Sequence, residues 1–125
     1  MVQSKKIQFL YLDNSQFNLK WINQLAKDFD WYSLAIDNDN DLDSWINELR
    51  PDFFLINEFY INSFLNLKQS TKQNVKKVFI LKDNETNDVI DLSKIDYTRS
   101  EIELYGKINP VIIKEIFSNF EKVNH

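Results

Sequence analysis

Apolar residues along this chain come in short bursts, each closed by a polar cluster, and the bursts alternate between strand-like runs and helical spacing. Lys6 to Leu12 is a run of β-branched, aromatic and aliphatic residues ended by Asp13-Asn14-Ser15, which predicts a strand followed by a helix cap. The segment after it places Phe17, Trp21, Ile22, Leu25 and Phe29 on or near one helical face. Trp31 to Ile36 predicts a second strand, and Asp41 to Leu49 a short helix stopped by Pro51. Phe53-Phe54-Leu55-Ile56 is uninterrupted, the mark of a strand buried on both faces, and it ends on Asn57. Residues 62–73 predict a helix with Phe64, Leu65 and Leu67 inward, Lys77 to Leu81 a fourth strand, and 84–95 another helix. Glu101-Ile102-Glu103-Leu104-Tyr105 alternates as an edge strand does. Asn109-Pro110 then opens a last helix, asparagine as N-cap and proline in the first turn.

Five strand–helix units in series predict an α/β fold: one parallel five-stranded sheet, helices on both faces, right-handed crossovers. The flavodoxin-like strand order 2-1-3-4-5 is expected, with residues 1–125 as a single unit that no linker or repeat interrupts. Chemistry in such sheets sits at the carboxyl ends of the strands. Asp13, Asn57, Lys82 and Lys107 all fall there in the predicted register.

Composition removes several classes of function. Only one glycine occurs in 125 residues, so loops that cradle phosphates through several glycines are absent. The single histidine is the last residue, and with no cysteine there is no thiol nucleophile or thiolate metal site. A net charge of −4 with both signs mixed describes a solvated surface, and direct nucleic-acid binding is not expected. No run reaches transmembrane length, and the first residues lack the apolar core of a signal peptide. A cytoplasmic protein is expected, with no membrane contact and no cofactor.

Arg50-Pro51-Asp52 and the five-residue run Phe53 to Asn57, which ends on a polar residue, together resemble the third strand of receiver domains of bacterial response regulators. The resemblance extends over the whole chain. It implies that Asn57 stands where the family has its phosphate-accepting aspartate, and that a pseudo-receiver has lost the chemistry, because an amide is not a nucleophile as a carboxylate is. Two adjacent acids for a divalent cation would follow the first strand, where this chain has Asp13-Asn14, or Leu12-Asp13 if the register slips by one, and either way a single acid. Lys82 takes the place of the family's threonine or serine, and Lys107 matches its lysine. One carboxylate among amides and ammonium groups is a poor magnesium site. The expectation is no bound metal, with Lys82 and Lys107 paired to Asp13 in its place. Leu104 occupies the position of the family's switch aromatic, and Tyr105 lies one residue later on the opposite sheet face.

By the same resemblance, partners or a second copy would dock on the fourth helix, fifth strand and fifth helix. That surface would involve Asp88, Asp91, Lys94, Glu101, Glu103, Lys114 and Lys122, with Leu104 and Tyr105 beside them. The stripe Ile112, Ile113, Ile116, Phe117 and Phe120 exceeds what one sheet face needs, so part of it is expected at an interface. Asp37 to Glu48 matches a calcium loop at positions one, three, five and twelve, but Leu42 replaces the turn glycine. In such a loop the acids can also simply stabilise the positive end of the next helix. Trp21, Trp31 and Trp45 are read as packing residues. The leading expectation is a non-enzymatic signalling or regulatory module, a receiver acting by protein contacts independently of phosphorylation, with the regulatory domain of a transcription regulator as one such role. The other is a sensor of a small ligand or divalent metal, using the strand-end crevice or the Asp37–Glu48 loop.

Overall fold

The computed structural model describes residues 6–82 and 101–123. Side chains of the strands alternate between two cores, which is how a period-two chain can be apolar throughout and still bury every residue. In β1 (Gln8–Leu12), Phe9 and Tyr11 enter one core and Leu10 and Leu12 the other. In β3 (Phe53–Asn57), Phe53 and Leu55 join the first set, and Phe54 and Ile56 the second. β2 (Tyr32–Ile36), β4 (Lys77–Lys82) and β5 (Glu101–Lys107) complete a parallel sheet of order β2-β1-β3-β4-β5. The fold is the flavodoxin-like one expected.

Helices α1 (Gln16–Asp28) and α5 (Pro110–Val123) cover the first face. There, Phe9 stacks on Phe53 with ring centroids 4.7 Å apart, and Trp31, Phe117 and Phe120 pack around them. Leu42 and Ile46 of α2 (Leu42–Leu49) and Phe64 of α3 (Ile61–Leu65) cover the second face. Predicted caps are in place: Ser15 Oγ accepts from the Asn18 amide, and Asn109 Oδ1 from the Ile112 amide.

Several expectations need correction. Phe17, in the first turn of α1, is 76% exposed, because at about 100° per residue it lies on the opposite side of the helix from the buried stripe of Leu19, Ile22 and Ala26. The single helix expected over 62–73 is broken. A 3₁₀ turn (Glu58–Tyr60) leads into α3, and Lys68 is extended before α4 (Gln69–Lys72). That break lets Leu67 turn into the core beside Phe64, while the Lys72 ammonium donates to the Leu65 carbonyl at 2.9 Å near the end of α3. The α5 stripe is absorbed by the core: Ile113, Ile116, Phe117 and Phe120 are buried and Ile112 packs against them. Phe117 packs against Phe9 and Trp31, and Phe120 against Phe53, so the aromatics of the helix and the sheet interdigitate in one close-packed layer. The helix expected at 84–95, with Asp88, Asp91 and Lys94, lies outside the described residues.

Candidate functional site

The first-face rows of β1 and β3 run on, beyond their last apolar residues, into Asp13 and Asn57, both completely buried. Period-two geometry brings Tyr11 onto the same side as Asp13. The Tyr11 hydroxyl donates to Asp13 Oδ2, as does Asn18 Nδ2 at 3.2 Å from the first turn of α1. Asp13 Oδ1 accepts from the Ser15 amide at 3.0 Å and from Asn57 Nδ2 at 3.1 Å. Asn57 Oδ1 accepts from the Phe59 amide at 2.9 Å, which caps the 3₁₀ turn. One amide side chain thus joins the first strand's acid to the turn after the third.

These donors are neutral, and the pairing of Asp13 with Lys82 and Lys107 is not formed. Among the described residues neither ammonium makes an ion pair with Asp13. A carboxylate removed from water needs its lone pairs satisfied, and four short-range donors do this without a second buried charge. No buried side-chain polar atom among the described residues is left without a partner. Asn14 is exposed and takes no part in this network.

Lys82 and Lys107 end neighbouring strands and face each other in register, because β5 gains a residue near its carboxyl end. Ile80 pairs with Leu104, but Lys82 pairs with Lys107. Uninterrupted alternation would have set Gly106 there instead. This irregularity lies at the chain's only glycine, where a bulge is least restricted.

On the fifth strand, Tyr105 packs on Phe79 and donates to Glu103, which also pairs with Lys77 at 3.1 Å. Burial and the Glu103 carboxylate push the Tyr105 phenol up to about 12. Leu104 is 41% exposed, and Lys114 is exposed on α5. Phe17 is exposed at the start of the segment following β1, and so, after β3 and β5, are Phe59 and Val111, which sequence pattern did not single out. Their only sequence signal was position, an apolar residue just past a strand end.

The calcium-loop spacing is not assembled. No three acidic or histidine side chains among the described residues converge to hold a metal. Asp37 is bonded by the Gln16 and Asn38 amides, and Asp43 by the Lys68 amide. The loop leads from a strand, β2, and the short α2 carries Glu48 along its own axis.

Burial, and then the Asp13 carboxylate, push the Tyr11 phenol far above its ordinary value of 10. In the unfolded chain the phenol ionises near 10, whereas the folded protein holds the proton. Stability is therefore whole below about pH 10 and falls above it by about 1.4 kcal/mol per pH unit. Tyr11→Phe is expected to cost about 2 kcal/mol at pH 7, one hydrogen bond to a buried carboxylate, yet to unfold at a higher alkaline pH than the parent. Urea titrations at pH 7 and at about pH 11, above the unfolded phenol's ordinary value, check this. Parallel stability curves would show that Tyr11 is not held protonated by the fold.

No family model and no curated protein matches the sequence. Among solved structures, a signal receiver domain from Vibrio parahaemolyticus is similar over 96% of this chain and 93% of its own, at TM-score 0.63 and 15% identity. A response regulator receiver domain from Methylobacillus flagellatus is similar at TM-score 0.60 and 11% identity, over 92% and 98%. The N-terminal domain of a response regulator protein from Carboxydothermus hydrogenoformans is similar at 0.56 and 14%, over 94% and 98%. Likeness at these identities establishes the fold. No helix among the described residues is long and apolar enough to cross a membrane.

Proposed function

We propose that this chain is a non-enzymatic signalling module, a pseudo-receiver spanning residues 1–125 that works in the cytoplasm through protein contacts and does not accept phosphate. The observation that carries this reading is Asn57, an amide at the end of the third strand whose nitrogen is bonded to Asp13. Its lone pair is delocalised, so it cannot attack a phosphoryl group. The residues present do not suit the magnesium ion that receivers employ. The one buried acid has its oxygens occupied by four neutral donors, and Lys82 and Lys107 close the strand ends with positive charge. In this reading Asp13, Asn14, Asn57, Lys82 and Lys107 are a substituted pocket that sets one conformation.

Protein contacts are favoured by the exposed Leu104 and Lys114 on the fifth strand and fifth helix, where Glu101, Glu103 and Tyr105 also lie. Charges of both signs there would select a partner, or a second copy, by register. Service to a transcription regulator, whose DNA-binding part would be separate from this chain, fits the same role.

The test is an amide NMR titration of the full chain with magnesium, then beryllofluoride. Resonances near Asp13, Asn57, Lys82 and Lys107 are expected to stay in place. Saturable shifts reaching β5 would overturn the reading.

A further inference from the structure

At the open edge of the sheet, on the first face, a cleft of about 560 Å³ lies between α1, the end of β2 and the start of α2. This is the size of a small-molecule site. Lys20, Asn23 and Gln16 line the α1 wall, with Asp37, Asp41 and Trp45 among the residues opposite. Asp41 stands at the N-cap of α2 in the left-handed region, at φ 57°, yet its carboxylate makes no cap hydrogen bond. Among the described residues Lys20 has no ion pair, and the Trp45 indole, 39% exposed, has neither a ring partner nor a hydrogen-bond acceptor. The lining therefore offers a carboxylate, an ammonium and an indole whose best interactions are unmade.

We propose that this cleft binds a free basic amino acid. Two carboxylates, Asp37 and Asp41, against one ammonium, Lys20, leave the lining at −1, which matches a ligand with two cationic groups and one carboxylate. The cationic side-chain end sits at Asp41 and over the Trp45 ring, where a guanidinium gains both charge pairing and π contact. The ligand carboxylate meets Lys20 on the other wall. Gln16 Nε2 is engaged by Asp37 and Asn23 Oδ1 by Ser33, so Gln16 Oε1 and Asn23 Nδ2 supply the amide contacts between the two ends. This inference is independent of the role of Asn57, since the cleft shares no residue with the Asp13 network.

Amide and indole NMR titrations of the full chain with L-arginine, agmatine, L-citrulline and D-glucose test it, read at the Trp45 indole N–H. Saturable shifts are expected with L-arginine. Binding should be about tenfold weaker with agmatine, which lacks the carboxylate, and with L-citrulline, which lacks the side-chain charge. Lys20→Met should erase the difference between L-arginine and agmatine. Asp41→Asn, which tolerates the left-handed backbone, should erase that between L-arginine and L-citrulline. Unchanged spectra elsewhere in both variants show that they are folded. Non-saturating shifts, equal binding of L-citrulline, saturable binding of D-glucose, or discrimination that survives both substitutions would each overturn the proposal.

Discussion

Asn57→Asp is expected to destabilise the protein at pH 7 by about 3–5 kcal/mol, lowering the melting temperature by more than about 10 °C. One oxygen of the new carboxylate keeps the bond from the Phe59 amide. The other then faces Asp13 Oδ1 in place of a donor now 3.1 Å away. A favourable bond becomes a like-charge contact in a site from which water is excluded. Two such carboxyls hold a proton between them to higher pH than isolated ones do. The folded variant thus binds more protons than its unfolded chain above about pH 4, so its stability falls as pH rises, and the loss is smaller at pH 5 than at pH 7. Magnesium chloride is expected to restore part of the loss at pH 7, since a cation that binds only the folded acid pair stabilises it. Melting curves at the two pH values, with and without magnesium, measure all of this. A variant as stable as its parent at pH 7 would mean that Asn57 is not a structural donor to Asp13.

Asp13→Ala carries the second large effect, about 4 kcal/mol, because it leaves Tyr11, Asn18, Asn57 and the Ser15 amide as donors around a cavity. Burial of a lone charge opposes this, and in some proteins apolar replacement of buried charges is stabilising. Here the partners decide the sign. Those donors stay behind, and Asn57 cannot turn away without losing its cap on the 3₁₀ turn, nor Asn18 without losing the bond from the Trp21 indole. Asp13→Asn should cost about half as much, since its oxygen can still serve Ser15 and Asn57 while its nitrogen meets the Asn18 donor. Urea denaturation at constant m-value ranks the three proteins. An alanine variant equal to or more stable than the asparagine one would show that the network is not a net support of the fold.

Much of the architecture was legible in the chain because it rests on local periodicity. Uninterrupted Phe53 to Ile56 can only be a strand covered on both sides, and Ser15 and Asn109 cap their helices with side chains that reach just three residues ahead. Alternation of these elements, with the handedness of crossovers, narrows the strand orders to a few, and the resemblance to receiver domains selects 2-1-3-4-5 among them. Asp13 and Asn57 were placed at the carboxyl edge by the same reasoning, and their burial side by side there follows from the neighbouring positions of β1 and β3.

What the chain alone did not decide are the features that depend on residues meeting across elements. Tyr11 and Asn18, not the lysines, satisfy Asp13, because a neutral donor within reach solvates a buried carboxylate without the desolvation cost of a second ion. Gly106 and the extra residue in β5 set Lys107 opposite Lys82, a pairing that strict alternation misplaces by one. Phe17 shared a four-residue spacing with Trp21 and Leu25, yet the buried stripe runs through Leu19, Ile22 and Ala26 on the other side of α1, because four-residue steps drift around a helix of 3.6 residues per turn. The acids from Asp37 to Glu48 kept their calcium-loop spacing and lost the loop, because spacing along a chain becomes a cage only if the backbone turns to close it. Sequence by itself determined the elements, their order and the edge at which polar residues gather. Only the tertiary structure decided which of those residues touch, because contact between distant segments depends on register, bulges and element ends that no local pattern encodes.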